Sequence, residues 1–530
     1  MCGILALYLR NTETNLEGIL NGYNILKNRG PDNGNISIDH NLIMGFRRLA
    51  IMDQSELGNQ PFTSNFTGKQ TKLICNGEIF NHIEIENQYQ LVCKSKSDCE
   101  CILHLFESFG INKVVDTLNG DFAFVIYSEH QQKIFFARDR IGVRPLFYGF
   151  TKDNNLAMAS YARVLSDFCP EVKPVLPGWG IYDITTQQLS FFQYQFPSRN
   201  IIPWAENSTL YEIKDALEKA VIIRLMSDRP IGCLLSGGLD SSLIASILCK
   251  QLGPENVRTY SIGMTGSQDL KHAKIVAEYL GTKHTEVLFT PEQGIEAIPD
   301  VIKDLESYDI TTIRASVGMW LLCKYIKENT EDVVLYSGEG ADELFCGYLY
   351  FHYAPLPDLA AAESERLIKN LHLYDVLRAD RCVSSHGLEL RVPFLDKNMV
   401  NISIGLPAEY IQPKQGIEKH ILRSAFASGN YLPDKVLWRR KDGLSDGVSS
   451  DNGKRWCEQI QDFVNNQISE TEFEPYKNIF PSKEAYYYKR IYDTIFPTYQ
   501  PKIDYWLPKW VNHGGDPSGR ILKVFTSNDV

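Results

Sequence analysis

Hydrophobic and polar positions follow a strand-like pattern in the first part of the chain. Short apolar or aromatic runs of strand length occur at residues 42–46, 72–75, 122–127 and 133–137, and the last two predict a hairpin. Between such runs, residues 98–110 carry apolar side chains at helical spacing. Strands mixed with helices in this way predict a layered α+β domain.

The pattern changes after a polar, proline-containing stretch at residues 197–209, which predicts a linker. Beyond it, apolar runs alternate with amphipathic helices, and this alternation predicts a parallel sheet with helices on both faces. The predicted helices are residues 210–226 and 240–252, and the predicted strands are residues 230–235, 259–263 and 333–336. After residue 451 the charged and aromatic pattern predicts only helix followed by an irregular tail. We therefore predict one domain over residues 1–200 and another over residues 210–530.

The composition is that of a globular protein and argues against several function classes. The chain has 530 residues, of which 44% are hydrophobic and 22% are charged, so more than one core is expected. A net charge of −11 argues against a nucleic-acid partner. No apolar run is long enough for a membrane span, and the start has no basic n-region. With twelve scattered cysteines and no Cys-x-x-Cys pair, a cytoplasmic protein with free thiols is expected.

The sharpest motif is Ser-Gly-Gly-Leu-Asp-Ser-Ser at residues 236–242, between a predicted buried strand and a helix. Small residues let the backbone approach an anion, and the N–H groups of the new helix point at it. Asp240 would repel phosphate unless a divalent cation lies between them. The Gly-Lys-Ser/Thr ending of a Walker A loop is absent. The motif resembles the pyrophosphate-binding loop of ATP pyrophosphatases, which form adenylates; a plain glycine turn is the alternative.

A second polar cluster, Ser-Gly-Glu-Gly-Ala-Asp-Glu at residues 337–343, follows the predicted strand that ends at Tyr336. In a parallel sheet both motifs lie at the carboxyl ends of strands, where ligands bind. Acids near a phosphate loop are suited to hold a metal or to position a substrate. The alternative is a solvated acidic loop, and the glycines on both sides of Glu339 argue against it.

A separate chemistry is indicated at the start of the chain. Cys2 becomes N-terminal once Met1 is removed, and a free α-amino group with a pKa near ~8 can act as base for the thiol of its own residue. Four further motifs follow in order, at residues 29–32, 48–53, 76–82 and 97–98. Together with Cys2 they resemble class II glutamine amidotransferases, the N-terminal-nucleophile glutaminases.

This resemblance implies an αββα sandwich and a role for each matched residue. The Cys2 thiolate would attack the glutamine amide, and Asn76 with the Gly77 backbone would form the oxyanion hole. Arg48 and Asp98 would bind the α-carboxylate and the α-amino group of glutamine. The other implied residues of the glutamine pocket are Leu49, Ala50, Ile51, Met52 and Glu78.

A glutaminase domain followed by an ATP pyrophosphatase domain resembles the glutamine-hydrolysing asparagine synthetase family over nearly the whole chain. Further matches lie at residues 307–316, 387–396 and 418–423, and near Lys441 and Asp516. The resemblance implies that ATP and aspartate form β-aspartyl-AMP and pyrophosphate in the second domain. Ammonia from Cys2 would travel through an internal tunnel and convert the adenylate to asparagine and AMP. The family also implies a homodimer.

The resemblance assigns roles in the second domain as well. Glu339 would serve both adenylate formation and attack by ammonia, and Lys441 would offset charge on the phosphates. Mg²⁺ would be held by Asp240 and Asp342. The implied ATP contacts are Leu234, Ser236, Gly237, Gly238, Asp240, Ser241, Ile262, Ser337 and Gly338. Of these, Leu234 and Ile262 would lie near the adenine. The chain departs from the family pattern at Tyr161, Ala341, Cys346 and Leu444, which leaves the detail of the aspartate pocket open.

Three alternatives remain from the sequence. A β-lactam-synthetase-like enzyme, or a related adenylating amidotransferase, would use a similar second domain on another carboxylate, although β-lactam synthetases lack a working N-terminal cysteine. Glucosamine-6-phosphate synthases and amidophosphoribosyltransferases share the glutaminase but not the Ser-Gly-Gly-Leu-Asp-Ser-Ser loop. A catalytically silent amino-acid sensor would have no need for all of the assigned residues.

Overall fold

The computed structural model describes residues 1–10, 16–65, 68–440, 447–449 and 453–512. Within these ranges two six-stranded antiparallel sheets come first and a five-stranded parallel sheet follows. The predicted fold class, an α+β sandwich followed by an α/β parallel-sheet domain, is confirmed.

The first part of the chain builds the two antiparallel sheets. Its strands are β1 (Gly3–Tyr8), β2 (Asn33–Asp39), β3 (Leu42–Arg48), β4 (Phe62–Ser64), β5 (Thr71–Ile79), β6 (Gly120–Ser128), β7 (Lys133–Arg138), β8 (Phe147–Phe150), β9 (Leu156–Ala159), β10 (Glu171–Pro174), β11 (Gly178–Asp183) and β12 (Gln188–Phe192). Its helices are α1 (Leu16–Ile25), α2 (His82–Tyr89), α3 (Glu100–Thr117) and α4 (Ala162–Leu165). One sheet has the order β10-β8-β9-β1-β3-β2, and the other has the order β12-β11-β7-β6-β5-β4.

Alternating side chains on the strands divide this part into four layers. Ile4 and Ala6 of β1 pack with Val125 of β6 between the two sheets. Leu5 lies in a cluster with side chains of α1, and Phe124 lies in a cluster with side chains of α3. Because successive side chains of a strand point to opposite faces, each sheet has one face toward the other sheet and one toward helices. The result is the αββα sandwich that the resemblance implies.

The predicted elements correspond to observed ones with shifted ends. The strands predicted in the first part are β3, β5, β6 and β7, each longer than its apolar run. The helix predicted to end at Gly110 is α3, which continues to Thr117. Gly110 has a φ of 76°, so two helical segments meet at this residue. The pattern predicts Gly110 as the end of the helix, but in the structure it is a kink within α3.

The second part of the chain builds the parallel sheet. Its strands are β13 (Ile231–Leu234), β14 (Arg258–Gly263), β15 (Lys283–Leu288), β16 (Val334–Tyr336) and β17 (Glu389–Arg391). Its helices are α5 (Glu206–Ile223), α6 (Leu239–Leu252), α7 (Gln268–Leu280), α8 (Pro291–Leu305), α9 (Ile310–Asn329), α10 (Ala341–Leu344), α11 (Pro357–Asn370), α12 (Asp375–Ser384), α13 (Lys397–Gly405), α14 (Ala408–Ile411), α15 (His420–Ala425), α16 (Asp434–Leu437), α17 (Trp456–Gln467), α18 (Glu470–Phe473) and α19 (Lys483–Ile495). Because α5 begins at Glu206, the linker is shorter than predicted.

The order of the parallel strands places the two polar motifs side by side. The sheet has the order β15-β14-β13-β16-β17. After β13, the chain first adds β14 and β15 on one side of it and then adds β16 and β17 on the other side. In open α/β sheets, ligands bind at the carboxyl ends of the strands where the direction of winding reverses. The loops after β13 and β16 meet at that position.

The segment after residue 452 packs as helices on the second domain. The Trp456 indole of α17 donates to the Arg314 carbonyl oxygen at 3.2 Å. Glu484 of α19 forms a buried ion pair with the Arg314 guanidinium, in which Arg314 Nε lies 2.8 Å from Glu484 Oε1. Beyond α19, residues 497–512 form neither helix nor strand. Among the described residues, we find no helix with the length and hydrophobicity that a membrane crossing requires.

Candidate functional site

Cys2 lies at the start of β1, at the edge of the interior between the two antiparallel sheets. Its thiol donates to the Leu49 carbonyl oxygen, with Sγ 3.7 Å from the oxygen. Burial raises the pKa of this thiol above its ordinary value. The Met1 side chain is buried, and its amino group donates to the Leu388 carbonyl oxygen at 3.1 Å. Burial lowers the pKa of the Met1 amino group to about 6. While Met1 is present, Cys2 has no α-amino group of its own.

Asn76 and Gly77 lie on β5, in the sheet that faces Cys2. The Asn76 side chain is completely buried, and neither its amide nitrogen nor its amide oxygen has a hydrogen-bond partner among the described residues. A buried amide without partners carries a desolvation cost that a ligand can remove. At Gly77, an added Cβ would come within 2.2 Å of the Asp121 carbonyl oxygen, so the close strand approach requires glycine.

Arg48, the last residue of β3, is buried, and its guanidinium is already engaged with the following loop. Its Nη1 donates to the Ser55 carbonyl oxygen at 2.7 Å and to Asn59 Oδ1 at 3.0 Å. Its Nη2 donates to the carbonyl oxygens of Met52 and Asp53. The guanidinium therefore orders the loop that contains Leu49 to Met52. To bind a substrate carboxylate, Arg48 would use Nε–H or exchange one of these loop contacts.

Buried acids lie at the end of β5, where the sequence predicts a glutamine pocket. Asp98 Oδ2 accepts from the Ile79 backbone N–H at 2.6 Å, and burial raises the pKa of Asp98. Burial and the neighbouring acids Asp98 and Glu389 hold the pKa of Glu78 well above its ordinary value. An ammonium group entering this pocket would favour the charged carboxylates. Glu389 belongs to β17, so the second domain contributes to the surroundings of this pocket.

The second site is a cavity of about 280 Å³ at the carboxyl ends of β13, β14 and β16. Most of the residues predicted to contact ATP line it: Leu234, Ser236, Gly238, Asp240, Ser241, Ile262, Ser337 and Gly338. Gly237 is not among the lining residues. Its φ of 73° and the 2.3 Å from a built Cβ to the Ala273 backbone nitrogen explain why glycine stands there.

Hydroxyl groups hold the loop after β13 in a tight turn. Ser241 Oγ accepts from the Ser236 backbone N–H at 3.2 Å, and Ser236 Oγ accepts from the Gly238 backbone N–H at 3.3 Å. Helix α6 begins at Leu239, immediately after this turn, and its first turn lines the cavity. Its N-terminal N–H groups and dipole make this end of the cavity suited to an anion.

Asp240 and Asp342 come together across the cavity, with Lys419 between them. Lys419 Nζ lies 2.5 Å from Asp240 Oδ2 and 2.7 Å from Asp342 Oδ1. The other oxygen of Asp240 is buried and has no hydrogen-bond partner in the described part of the chain. Two facing carboxylates with an unpartnered oxygen fit a divalent cation such as Mg²⁺, which takes one or two carboxylates and completes its shell with water and phosphate. No group of three or more His, Cys, Asp or Glu ligands is found among the described residues.

Glu339 is held in place from both sides. Its Oε2 accepts from Arg378 Nη2 at 2.7 Å, and its Oε1 accepts from the Ser337 hydroxyl at 3.3 Å. Burial raises the pKa of Glu339, while the Arg378 guanidinium acts in the opposite direction. Arg378 also donates to Asp375 Oδ1 at 2.7 Å, so it joins two carboxylates of the cavity.

Tyr348 links the remaining acids of the cavity. Its hydroxyl lies 2.6 Å from Glu343 Oε1 and 2.9 Å from Asp375 Oδ2. Burial and the nearby Asp375 raise the pKa of Glu343 to about 8. The phenol has one hydrogen for these two acceptors, so a protonated Glu343 would supply the second hydrogen.

Known proteins and family models match nearly the whole chain. A family model described as "Glutamine amidotransferase domain" matches residues 1–189. A second, described as "Asparagine synthase", matches residues 212–366 and 357–513. Proteins named "Asparagine synthetase [glutamine-hydrolyzing]" from Rattus norvegicus and Homo sapiens are each 41% identical to this chain. In both cases the match covers 99% of this chain and 99% of the relative.

The chain belongs to the asparagine synthetase family.

In this member of the family, the structure brings the predicted residues into two groups. Cys2 and Arg48 both contact the loop of residues 49–53, and Asn76 is buried on β5 of the facing sheet, whereas Glu339 and the phosphate-loop residues line the cavity of the other domain. Lys441 lies outside the described residues, as do Leu444 and Asp516.

Sequence reasoning missed several residues of the synthetase cavity. The missed residues are Tyr348, Asp375 and Arg378, which join Glu343 of the predicted 337–343 cluster in one network, and Lys419 as the cation between the aspartates. Asp375 and Arg378 are three residues apart on α12, a spacing that places both on one helix face and could have suggested the pair. The contact of Lys419 with Asp240, 179 residues away, has no local pattern that predicts it.

Proposed function

We propose that the protein synthesises L-asparagine from L-aspartate, ATP and L-glutamine, and releases AMP, pyrophosphate and glutamate. The observation that carries the proposal is the pairing of two sites in one chain. One has Cys2 at the start of β1 and the buried, unpartnered amide of Asn76 on β5 of the facing sheet, and the other has Glu339 beside a phosphate-type loop. The 41% identity to proteins named asparagine synthetase, over 99% of both chains, supports the same pairing.

At the glutaminase site, Cys2 is proposed to be the nucleophile once Met1 is removed. Its free α-amino group takes the thiol proton, and the thiolate adds to the side-chain carbonyl carbon of glutamine. The Asn76 amide and the Gly77 N–H stabilise the oxyanion. The C–N bond then breaks, ammonia leaves with a proton, and water hydrolyses the thioester to glutamate. Arg48 and Asp98 orient the substrate.

At the synthetase site, the loop after β13 is proposed to hold the phosphates of ATP at the start of α6. A β-carboxylate oxygen of aspartate attacks the α-phosphorus, and pyrophosphate leaves. Ammonia then attacks the acyl carbon of β-aspartyl-AMP, the bond to the AMP oxygen breaks, and a proton is lost to a base. Glu339, held by Arg378, is the carboxylate placed to orient these groups and to receive that proton.

The acids beyond Glu339 are proposed to recognise aspartate. Asp375 and Glu343 both line the cavity and share the Tyr348 hydroxyl. A substrate α-ammonium group in this position would draw the Glu343 proton away and pair with the resulting carboxylates. The amino-acid end of the cavity is thus acidic, whereas the phosphate end offers backbone N–H groups.

We propose Mg²⁺ as the cofactor, held by Asp240 and Asp342. When bound, it would supply the positive charge that lets these carboxylates lie beside the phosphates. Lys419 keeps the two carboxylates together and adds a positive charge of its own. Lys441 is proposed as a further counter-charge.

The ammonia is proposed to pass inside the protein, because the two domains are joined by buried contacts. Arg29 connects the Cys2 carbonyl oxygen to Asp380 of α12, and α12 also carries Arg378, which holds Glu339.

A cytoplasmic location is supported by the twelve free cysteines. A homodimer is proposed on the family resemblance, and light scattering on the purified chain tests it.

Product analysis tests the proposed function. With aspartate, ATP, Mg²⁺ and glutamine labelled with ¹⁵N in the side-chain amide, one labelled asparagine should appear for each AMP and each pyrophosphate. Aspartate should also promote ATP–pyrophosphate exchange without a nitrogen donor, whereas glutamate or N-acyl amino acids should not. If the exchange depends on another carboxylate instead, that carboxylate and not aspartate is the substrate.

A further inference from the structure

The chain after α19 includes a segment without helix or strand, residues 501–510, which we call the C-terminal strap. It is fixed to the second domain by side chains of neighbouring helices and loops. The Tyr308 hydroxyl donates to the Pro501 carbonyl oxygen at 3.0 Å, and the Tyr374 hydroxyl donates to the Asp504 carbonyl oxygen at 2.9 Å. Near the end of the strap, Lys509 Nζ lies 3.0 Å from Glu363 Oε2 of α11. The strap is therefore attached at both ends.

The middle of the strap is held by the first turn of α9. The Trp506 backbone N–H donates to Asp309 Oδ1 at 2.9 Å, and the Thr311 hydroxyl donates to the Trp506 carbonyl oxygen at 3.2 Å. Asp309 is completely buried, and its other carboxylate oxygen caps α9 through the Thr312 N–H. Both backbone groups of Trp506 are thus fixed to the helix that carries Arg314 into the cavity.

The Trp506 side chain completes the wall of the synthetase cavity at its acidic end. Trp506 and Pro508 both line the cavity, although they follow the last lining residue of α12 by more than a hundred positions. The Trp506 ring centroid lies 5.2 Å from that of Tyr348. Tyr348 is the residue whose hydroxyl joins Glu343 and Asp375. A large, rigid indole therefore covers the side chain that organises the proposed aspartate-binding acids.

We propose that Trp506 is a specificity-determining residue of the amino-acid subsite. The indole limits the depth of the subsite, so that aspartate fits and a dicarboxylic amino acid with one more methylene does not. It also keeps water from the acyl-adenylate. This inference rests on the proposed function, because the subsite is defined by aspartate adenylation.

The chemical consequence of removing the indole is a futile reaction. Water in place of ammonia attacks the acyl carbon, the bond between that carbon and the AMP oxygen breaks, and free aspartate and AMP leave. One ATP is then converted to AMP and pyrophosphate without formation of asparagine. The ratio of AMP to asparagine reports this loss, and a simple structural role of the strap would not raise it on its own.

Trp510 offers a matched control in the same strap. Like Trp506, it is partly buried, and its ring packs on Tyr350 and Phe351 at centroid distances of 6.0 and 6.1 Å. It does not line the cavity among the described residues. Trp510→Ala therefore removes an indole and its packing without opening the proposed subsite.

The test compares Trp506→Ala, Trp506→Leu and Trp510→Ala in the full chain. For Trp506→Ala we expect the KM for aspartate to rise by roughly 10-fold or more, the scale on which pockets discriminate one methylene. We also expect more than one AMP per asparagine, and glutamate-dependent ATP–pyrophosphate exchange that the unaltered chain lacks. The KM for ATP and glutaminase activity should stay unchanged.

Trp506→Leu keeps an apolar side chain and covers the case in which alanine impairs folding. Its KM for aspartate and its ratio of AMP to asparagine should change in the same direction by less. Trp510→Ala should match the unaltered protein.

Two results would overturn the inference. One is equal behaviour of the Trp506 and Trp510 variants, and the other is a parallel rise in the KM values for ATP and aspartate. The proposed function is tested separately by the unaltered protein. If that protein shows no aspartate-dependent exchange, the proposed function fails, whereas normal exchange with an unchanged Trp506→Ala variant rejects only the role of Trp506.

Discussion

Arg29 and Asp380 form an ion pair that is completely buried between the two domains, with Arg29 Nη1 2.8 Å from Asp380 Oδ2. The same guanidinium donates through Nε to the Cys2 carbonyl oxygen at 2.8 Å. Asp380 follows Arg378 on α12 by two residues, and Arg378 binds Glu339. One helix of the synthetase domain thus contacts groups of both proposed sites.

Asp380→Ala should destabilise the protein strongly, because it leaves the Arg29 charge buried without its carboxylate. Breaking a buried ion pair on one side costs about 3–5 kcal/mol. We expect a loss of this size in the free energy of unfolding, measured by denaturant titration, and more glutamate released per asparagine formed. Lys219→Ala is the control, since it breaks an exposed pair with Asp215, and solvent-exposed pairs contribute little to stability. Equal losses in the two variants would contradict the importance of the buried pair.

Cys2→Ala should stop glutamine-dependent synthesis and leave synthesis from added ammonium intact. Alanine provides no nucleophile for the amide, while the synthetase site receives the same ammonia from solvent. Asparagine formed with each nitrogen donor is the measurement, and retention of Met1 should have the same effect as the substitution. Cys93→Ala, another partly exposed cysteine of the same domain, should keep both activities. Glutamine-driven synthesis that survives in Cys2→Ala would remove Cys2 from the mechanism.

Asp240→Asn and Glu339→Gln should each abolish asparagine formation while glutaminase activity survives. Both carboxylates line the cavity of the second domain, and loss of either should reduce the rate by roughly 100-fold or more, about 3 kcal/mol of transition-state stabilisation. Chelation of divalent cations should have the same selective effect. Asp215→Asn, which does not line the cavity, is the control. Normal synthesis in either cavity variant would disprove the assignment of this site.

Glu343→Gln should change how stability depends on pH. In the folded protein the pKa of Glu343 is raised to about 8, above its ordinary value in an unfolded chain. The folded state therefore binds the proton more tightly, and this contribution to stability is lost as pH rises toward the folded pKa.

The glutamine side chain of the variant donates a hydrogen bond as the protonated acid does, and it does not ionise. Relative to the unaltered protein, the variant should become progressively more stable between pH 5 and pH 8.5, by an amount on the order of a few kcal/mol. Denaturant titrations at several pH values measure this, with the exposed Glu409→Gln as control, and a difference that does not vary with pH would refute it.

The sequence by itself determined the local features of this protein. Short apolar runs of strand length mark β3, β5, β6 and β7, and the alternation of strands and helices marks the parallel sheet, because these patterns follow from backbone geometry within one element. The loop at residues 236–242 and the cluster at residues 337–343 could be placed together, since parallel strands bring their carboxyl ends to one edge. The glutaminase motifs could be assigned from their order along the chain.

Only the tertiary structure decided which distant side chains complete the sites. Lys419 lies between Asp240 and Asp342, and Trp506 covers Tyr348. From the sequence, Lys419 is known only as part of the match at residues 418–423, with no partner, and no motif marks Trp506. Their positions result from the packing of α15 and of the C-terminal strap on the rest of the second domain. Arg29 likewise meets Asp380 across 351 residues of chain. Such contacts depend on how whole elements pack against one another, and the spacing of residues within an element carries no information about them.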